Sequence, residues 1–175
     1  LKDKLGEEVL GKNITVIDDA LFWEAQQQYS FDDEGVATCT KAVVENGVLK
    51  TYLHNLKTAA MMQVKSTGNG FKNSVNSSVD IQPANLYLKA GDTSLEEMFK
   101  QLQNGVYITS VAGLHAGLNP ISGSFNLQSS GFLIEDGRKT KPVTLIIISG
   151  TLQELLNNVS YVGNDFEFKR GVGAP

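Results

Sequence analysis

The sequence predicts a β-rich α+β fold with two or three short helices, in which a mostly antiparallel sheet could close into a barrel-like body. Two hairpin patterns predict the antiparallel strands: Glu-Asn-Gly at 45–47 and Glu-Asp-Gly at 135–137 each separate two β-type runs. Asn-Gly and Asp-Gly favour a type I′ turn, because both central residues of that turn need positive φ. A capping box formed by Ser94 and Glu97 predicts the start of a helix.

The predicted strands follow from short runs of β-type residues between turn signals. In chain order they cover residues 13–18, 39–44, 48–53, 131–134, 138–143 and 143–148. Asp18-Asp19 is expected to form a turn after the first strand. The last run, Val143 to Ile148, is apolar for most of its length and is predicted to be a buried strand.

Two helices are predicted from apolar residues at positions i, i+3, i+4 and i+7. These residues are Leu95, Met98, Phe99 and Leu102 in one helix, and Leu152, Leu155, Leu156 and Val159, led by Thr151, in the other. Both apolar stripes are expected to face the core. A shorter helix is expected over 55–63, residues 21–29 could form a helical turn or a loop, and 66–79 is predicted to be a long exposed loop.

Composition and charge limit the function classes. The chain has 175 residues, enough for one domain with a core, and a net charge of −4 without a basic stripe, which argues against direct binding to nucleic acid. No apolar run approaches the roughly 20 residues that cross a bilayer, so no membrane segment is expected. Cys39 is the single cysteine and cannot form a disulfide within the chain, which indicates a reducing, cytoplasmic location. The sequence begins at Leu1 rather than Met, and we interpret it as a fragment of a longer protein.

The sequence predicts no catalytic residue and no metal site in this chain. Its two histidines, His54 and His115, lie in different predicted elements, and neither has a carboxylate or a cysteine at ligand spacing. The acidic run Asp32-Asp33-Glu34 is expected to be a solvated turn, because calcium loops place their ligands at alternate positions. Cys39 is expected to be a small buried hydrophobe.

The aromatic residues after the first strand have two interpretations of equal weight. Phe22, Trp23 and Tyr29 could anchor an interface, or they could fill the core.

An ordered series of segments resembles the C-terminal region of the TldD/PmbA family. The segments are SFDDEGV (30–36), ENGVLKTYLHN (45–55), STGNG (66–70), NLYLKAGDTSLEEM (85–98), GVYIT (105–109), GLHAGLNPISGSF (113–125), SSGFLIEDG (129–137) and NNVSYVGNDFE (157–167). They cover nearly the whole chain in the family's order. The resemblance implies a protein of a family described as modulators of DNA gyrase and as zinc metalloproteases that mature or degrade peptides.

Within that family, the chain resembles the PmbA (TldE) type more than the TldD type. The catalytic TldD type has an H-E-x-x-x-H helix, which in family order would lie upstream of Leu1, and a cysteine close to its C-terminus. Here the residues after Asp165 read FEFKRGVGAP and contain no cysteine. The resemblance therefore implies a non-catalytic subunit without its own cofactor, whose zinc would belong to a TldD-type partner. The expected partners are that subunit, or a second copy in a self-dimer, and an unfolded peptide substrate.

Two alternatives remain at this point. The parent protein could itself be a TldD-type metalloprotease whose H-E-x-x-x-H helix lies upstream, or it could be a non-proteolytic protein that binds gyrase or an antitoxin.

The glycine-rich segment 105–137 contains the residues expected to face substrate. They lie in the 113–124 loop and are His115, Asn119, Ser122 and Gly123. Backbone edges exposed at consecutive turns could pair with an extended peptide as an added strand. The alternative is a set of ordinary loops in a β-rich domain, with Asn119-Pro120 and Ser122-Gly123 building turns and His115 hydrogen-bonded locally.

Overall fold

The computed structural model describes residues 3–169 and 171–175, so Leu1 lies outside the described residues. Contacts divide the chain into two compact units. The first unit contains the residues up to Ala90 together with Phe166–Pro175, and the second contains Gly91–Asp165.

The first unit is built on a six-stranded sheet with a separate two-stranded ribbon. The sheet strands are β1 (Val16–Asp19), β2 (Thr40–Glu45), β3 (Val48–Leu49), β6 (Leu86–Leu88), β10 (Glu167–Lys169) and β11 (Val172–Ala174). The ribbon consists of β4 (Gly70–Phe71) and β5 (Asp80–Ile81). The sheet order is β10-β11-β6-β1-β2-β3, and every pair in it is antiparallel except β11 with β6. One helix, α1 (Leu56–Met62), follows the β2–β3 hairpin.

The second unit is a three-stranded antiparallel sheet with three helices. Its elements are α2 (Leu95–Leu102), β7 (Gly105–Ala112), α3 (Leu114–Gly117), β8 (Ser124–Glu135), β9 (Arg138–Thr151) and α4 (Leu152–Asn157), and the sheet order is β7-β8-β9. The α+β class with mostly antiparallel sheet is confirmed. The sheets are open rather than closed into a barrel, and the described residues form four short helices.

Both predicted hairpins are confirmed. The central turn residues have positive φ in each case: 49° at Asn46 and 80° at Gly47, then 50° at Asp136 and 70° at Gly137. Asn and Asp tolerate this left-handed region because their short side chains bond locally, and glycine has no Cβ to clash. The strands of the second hairpin are longer than predicted, with 12 residues in β8 and 14 in β9.

The three predicted helices are also confirmed, each with a capping box at its start. Ser94 accepts from the backbone N–H of Glu97, Thr151 from that of Glu154 and Asn55 from that of Thr58. The α4 helix ends at Asn157, so Val159 lies beyond it. A cap satisfies backbone donors that have no partner inside the helix, which explains why these short sequence patterns locate the helix starts.

The predictions about burial are wrong in the second unit. The run 143–148 lies in β9, but its side chains are not buried: Leu145 is 77% exposed and Ile147 is 71% exposed. Neither α2 nor α4 contains a fully buried residue, so their apolar stripes are only partly covered: Phe99 of α2 is half-buried, with its ring centroid 5.2 Å from that of Tyr107, whereas Leu155 of α4 is 54% exposed. The reason is topological, since a helix or strand face becomes core only where another layer covers it.

Several loop predictions in the first unit are also corrected. Asp18 and Asp19 lie within β1 rather than in a turn. The segment 66–79 is not wholly exposed, because Asn69 has no exposed surface and Phe71 is 9% exposed. Cys39 is exposed. Of the two alternatives for residues 21–29, the structure has the loop, with turns and no helix. Each segment was predicted from neighbouring residues, whereas its burial depends on distant ones.

Candidate functional site

The 113–124 loop connects β7 to β8 in the second unit. Gly113 has φ 81° and begins the single turn of α3, in which the N–H of Gly117 donates to its carbonyl at 2.7 Å. His115 lies on this turn, is exposed, and forms no side-chain hydrogen bond with another described residue. After α3, Leu118 forms a bridge with Phe125 that returns the chain to the sheet.

Asn119 organises the second half of this loop. Its Oδ1 accepts from the backbone N–H of Ile121 at 2.9 Å and of Ser122 at 3.2 Å. Its backbone N–H donates to the carbonyl of Ser124, and its carbonyl accepts from the N–H of Gly123. An Asn side chain that bonds the backbone two residues on is a common turn device. Asn119 therefore stabilises the loop conformation.

Ser122 and Gly123 complete the turn. The Oγ atoms of Ser122 and Ser124 lie 2.8 Å apart. Gly123 has φ 71°, a conformation that costs other residues strain, and its carbonyl accepts from the N–H of Leu152 at 2.9 Å. This bond ties the turn to the start of α4.

The structure brings only part of the predicted set to one depression. A depression of about 650 Å³ is lined by Asn119 and its neighbours Leu118 and Pro120, together with Asn126 and Ser149 from the strands. His115, Ser122 and Gly123 are not among its lining residues. No lining residue is titratable, so the depression can offer hydrogen bonds and shape but no proton transfer.

Exposed apolar side chains in the second unit were missed by the sequence reasoning. Ile121, at the tip of the 113–124 loop, is 97% exposed, and Leu145 and Ile147 stand open on β9. An uninterrupted apolar run is the signal of a buried strand, which is why the sequence suggested the opposite. Large exposed apolar residues are a feature of surfaces that other protein covers.

A buried polar network in the first unit was also missed. Asp18 has no exposed surface, and its Oδ2 accepts from Lys41 Nζ at 3.1 Å and from Asn69 Nδ2 at 2.7 Å. Its Oδ1 accepts from the backbone N–H groups of Ala84 at 2.8 Å and Asn85 at 3.2 Å. With four donors, the buried carboxylate joins β1 to three distant segments. No local pattern in the sequence signals these partners.

Asp32 has a similar structural role, which corrects the prediction of a solvated acidic turn. It is 2% exposed, and its Oδ1 accepts from the N–H groups of Glu34 at 3.0 Å and Val36 at 2.9 Å. Its Oδ2 accepts from the N–H of Gly70 at 2.9 Å. These bonds hold the turn against β4.

An aromatic cluster in the first unit involves the residues after Asp165. Phe22 lies 4.8 Å from Tyr87, 5.0 Å from Phe168 and 6.0 Å from Phe166, measured between ring centroids. Burial, and then the charge of Asp19, raises the pKa of Tyr87. Phe22 therefore packs in this cluster and Tyr29 packs on Phe71, whereas Trp23 is 77% exposed.

The described residues contain no group of three His, Cys, Asp or Glu side chains that could hold a metal ion. His54 belongs to the first unit and its Nδ1 lies 3.3 Å from Thr58 Oγ1, whereas His115 belongs to the second unit. Over the same described part of the chain, none of the helices has the length and apolar character needed to span a membrane.

Comparisons with known proteins agree with this fold. The family described as PmbA/TldA metallopeptidase C-terminal domain matches residues 1–175. The metalloprotease MJ0996 of Methanocaldococcus jannaschii is 36% identical over 171 residues, which are 97% of this chain and 37% of that protein.

Two solved structures are similar over almost the whole chain. A proposed modulator of a DNA gyrase from Thermotoga maritima is 45% identical with a TM-score of 0.92, covering 100% of this chain and 40% of that one. TldE from Thermococcus kodakarensis is 28% identical with a TM-score of 0.87, covering 99% of this chain and 40% of that one. The chain thus spans about two-fifths of the length of these relatives. It belongs to the PmbA/TldA metallopeptidase family, as a C-terminal domain of that family.

Proposed function

We propose that this chain is the C-terminal domain of a PmbA/TldE-like subunit in a TldD/PmbA-type metalloprotease complex that matures or degrades peptides. In this proposal the chain shapes the substrate cavity and the subunit interface, and a TldD-type partner supplies the zinc and the general base. The partner could also be a second copy of the chain.

The observation that carries the proposal is the structure of the residues after Asp165. The resembled catalytic type has a cysteine in this stretch, whereas here β10 and β11 pair antiparallel and contain none. Phe168 of β10 and the preceding Phe166 pack against Phe22, and a Cβ added at Gly173 would lie 2.6 Å from the Phe166 ring. The packing of these residues supports a structural role for this stretch in the proposed subunit.

The role in assembly is supported by the exposed apolar residues of the second unit. Ile121, Leu145 and Ile147 are each more than 70% exposed. An interface with a partner subunit would remove them from water, and burial of apolar surface is the main driving force of such association. We also propose a cytoplasmic location, which the absence of any second cysteine in this sequence supports.

The test is a metal and activity measurement on the full-length protein, alone and with a TldD-type subunit. We expect no stoichiometric zinc and no casein hydrolysis from the protein alone, and chelator-sensitive hydrolysis from the mixture. Stoichiometric zinc together with chelator-sensitive hydrolysis by the protein alone would show that it is a TldD-type enzyme. Direct binding to gyrase with no hydrolysis in the mixture would instead favour a non-proteolytic binding protein.

A further inference from the structure

The first unit contains a cleft, and none of the residues predicted to face substrate (His115, Asn119, Ser122 and Gly123) is among its lining residues. Its volume is about 630 Å³, within the range of small-molecule and short-peptide sites. The cleft is lined by residues 26, 27, 29, 33, 71, 72, 82–85 and 171.

The walls are rich in carboxamide side chains. Gln26, Gln27, Gln82 and Asn85 all line the cleft. A carboxamide carries both a donor and an acceptor, so it can form two simultaneous hydrogen bonds with one peptide unit. Gln82 Nε2 already donates to Asn73 Oδ1 at 2.9 Å, which leaves its Oε1 free within the described chain, and the Gln26 amide forms no hydrogen bond with another described residue. These free groups can pair with the repeating donor and acceptor of a peptide main chain.

Two of the amides are held in place by the fold. Asn85 is 3% exposed, and its Nδ2 donates to the carbonyls of Asp19 and Gln27, both at 3.1 Å. The Gln27 Oε1 accepts from the hydroxyl of Tyr29. Asn85 therefore uses both of its donors within the fold and shapes the cleft, whereas Gln27 is held while its Nε2 bonds no other described residue and is still free. A binding group that is already fixed loses less conformational freedom when a ligand arrives.

An aromatic pair forms an apolar part of the same cleft. The rings of Tyr29 and Phe71 lie 5.1 Å apart between centroids. A flat apolar surface next to amides suits a ligand with a polar backbone and an apolar side group.

The charged residues of the cleft have opposite signs. Lys72 and Asp33 are both exposed, and the backbone N–H of Lys72 donates to Asp33 Oδ2 at 2.7 Å. The Lys72 ammonium forms no ion pair with another described residue, so it remains available to a ligand carboxylate. The charges of Asp33 and Lys72 cancel, so the side chains that line the cleft have no net charge, which suits a peptide better than a polyanion.

We propose that this cleft binds a short extended peptide through its main-chain amides, with one apolar side chain against the Tyr29 and Phe71 rings. Recognition is therefore tolerant of peptide sequence. The proposal rests on the proposed function only for the class of ligand, a peptide, and it requires no zinc and no contribution from the 113–124 loop.

The test measures binding of two matched ligands to the full-length protein, together with any subunit that accompanies it, in EDTA. The ligands are N-acetyl-Ala-Phe-Ala-amide and its depsipeptide, in which esters replace the internal amides, and the method is isothermal titration calorimetry. We expect the ester to bind about tenfold more weakly, because it lacks the N–H donors. Gln26→Ala should weaken binding of the amide peptide by a similar factor, because Gln26 is exposed and its loss leaves the fold intact.

Gln153→Ala is the matched control, since Gln153 is an exposed glutamine on α4 outside the cleft. Its affinity for the peptide should be unchanged. Equal affinity for amide and ester, no effect of Gln26→Ala, or no binding at millimolar peptide would each overturn the proposal. Binding of maltotriose in place of the peptide would also overturn it and assign the cleft to a carbohydrate. Because EDTA removes zinc from the assay, the result is independent of whether the complex hydrolyses peptides.

Discussion

The two units of the chain differ in which side chains they bury. In the first unit, Asp18, Asp32 and Asn69 are buried and fully hydrogen-bonded, and Val9, Val44 and Leu49 form an apolar cluster. In the second unit, every buried residue lies on the central strand β8, while Leu145 and Ile147 on β9 are exposed.

The difference lies in what each unit buries, because both units expose large apolar side chains: in the first, Trp23 is 77% exposed and Val75 is 92% exposed. The first unit satisfies its buried charges internally, through bonds between segments up to 67 residues apart. The second unit is one sheet and three short helices: α2 and α4 contact β9 and α3 contacts β8, but only residues of β8 become buried. A single sheet layer cannot bury both faces, so its remaining apolar surface is available to another protein.

The largest expected effect comes from breaking the network of the first unit. Asp18→Ala removes the acceptor of the Lys41 ammonium and one of the two acceptors of Asn69 Nδ2. It should lower the free energy of unfolding by about 3–5 kcal/mol, measured by urea denaturation. The control is Glu8→Ala, which removes an exposed ion pair with Lys12 and should cost less than about 1 kcal/mol. A similar loss from both substitutions would contradict a special role for burial.

A matched pair of isoleucines tests the contrast within the second unit. Ile134 on β8 is 1% exposed, so Ile134→Ala should cost about 2–5 kcal/mol of unfolding free energy. Ile147 on β9 is 71% exposed, so Ile147→Ala should change stability by less than about 0.5 kcal/mol. Hydrogen exchange with mass spectrometry locates each effect. Equal costs measured on the isolated protein would mean that β9 is covered.

A glycine in β8 tests how closely the strands of the second unit approach. A Cβ at Gly131 would lie 1.9 Å from the carbonyl oxygen of Tyr107, so Gly131→Ala should destabilise the protein by about 1–3 kcal/mol in thermal unfolding. Gly113 has open space around it and φ 81°, so Gly113→Ala isolates the backbone cost, about 1 kcal/mol. A smaller loss at Gly131 than at Gly113 would refute the close approach.

The smallest effect is a pH dependence at the start of α2. The hydrogen bonds from the side chain and backbone of Ser94 hold the pKa of Glu97 below its ordinary value of 4.5. Because the folded pKa is the lower one, this group adds stability above about pH 4.5, and the contribution is lost as the pH falls through the folded pKa. In Ser94→Ala, a carboxyl NMR titration should show the pKa of Glu97 rising. The pKa of Glu167, which Lys169 lowers, should not move.

Local patterns predicted the elements of this protein well, and its site less well. The Asn46-Gly47 and Asp136-Gly137 turns and the caps at Ser94 and Thr151 all appear where the sequence indicated. Asn119 was predicted to face substrate, whereas its side-chain oxygen accepts hydrogen bonds from the loop backbone and so stabilises a turn. No local pattern in the sequence signals the cleft of the first unit, because its amides at 26, 27, 82 and 85 come from segments more than 50 residues apart.

The sequence alone determined the hairpins and the helix starts, because a turn or a cap depends on residues within four positions of each other. It also determined the family, through the ordered series of similar segments along the chain. The tertiary structure decided which of those elements are buried. Asp18 was predicted to lie in a turn, and it is the centre of a buried hydrogen-bond network. The run 143–148 was predicted to be a buried strand, and it is a strand with exposed side chains. Burial is set by whatever layer covers a residue, and that layer is formed by distant parts of the chain or by another protein.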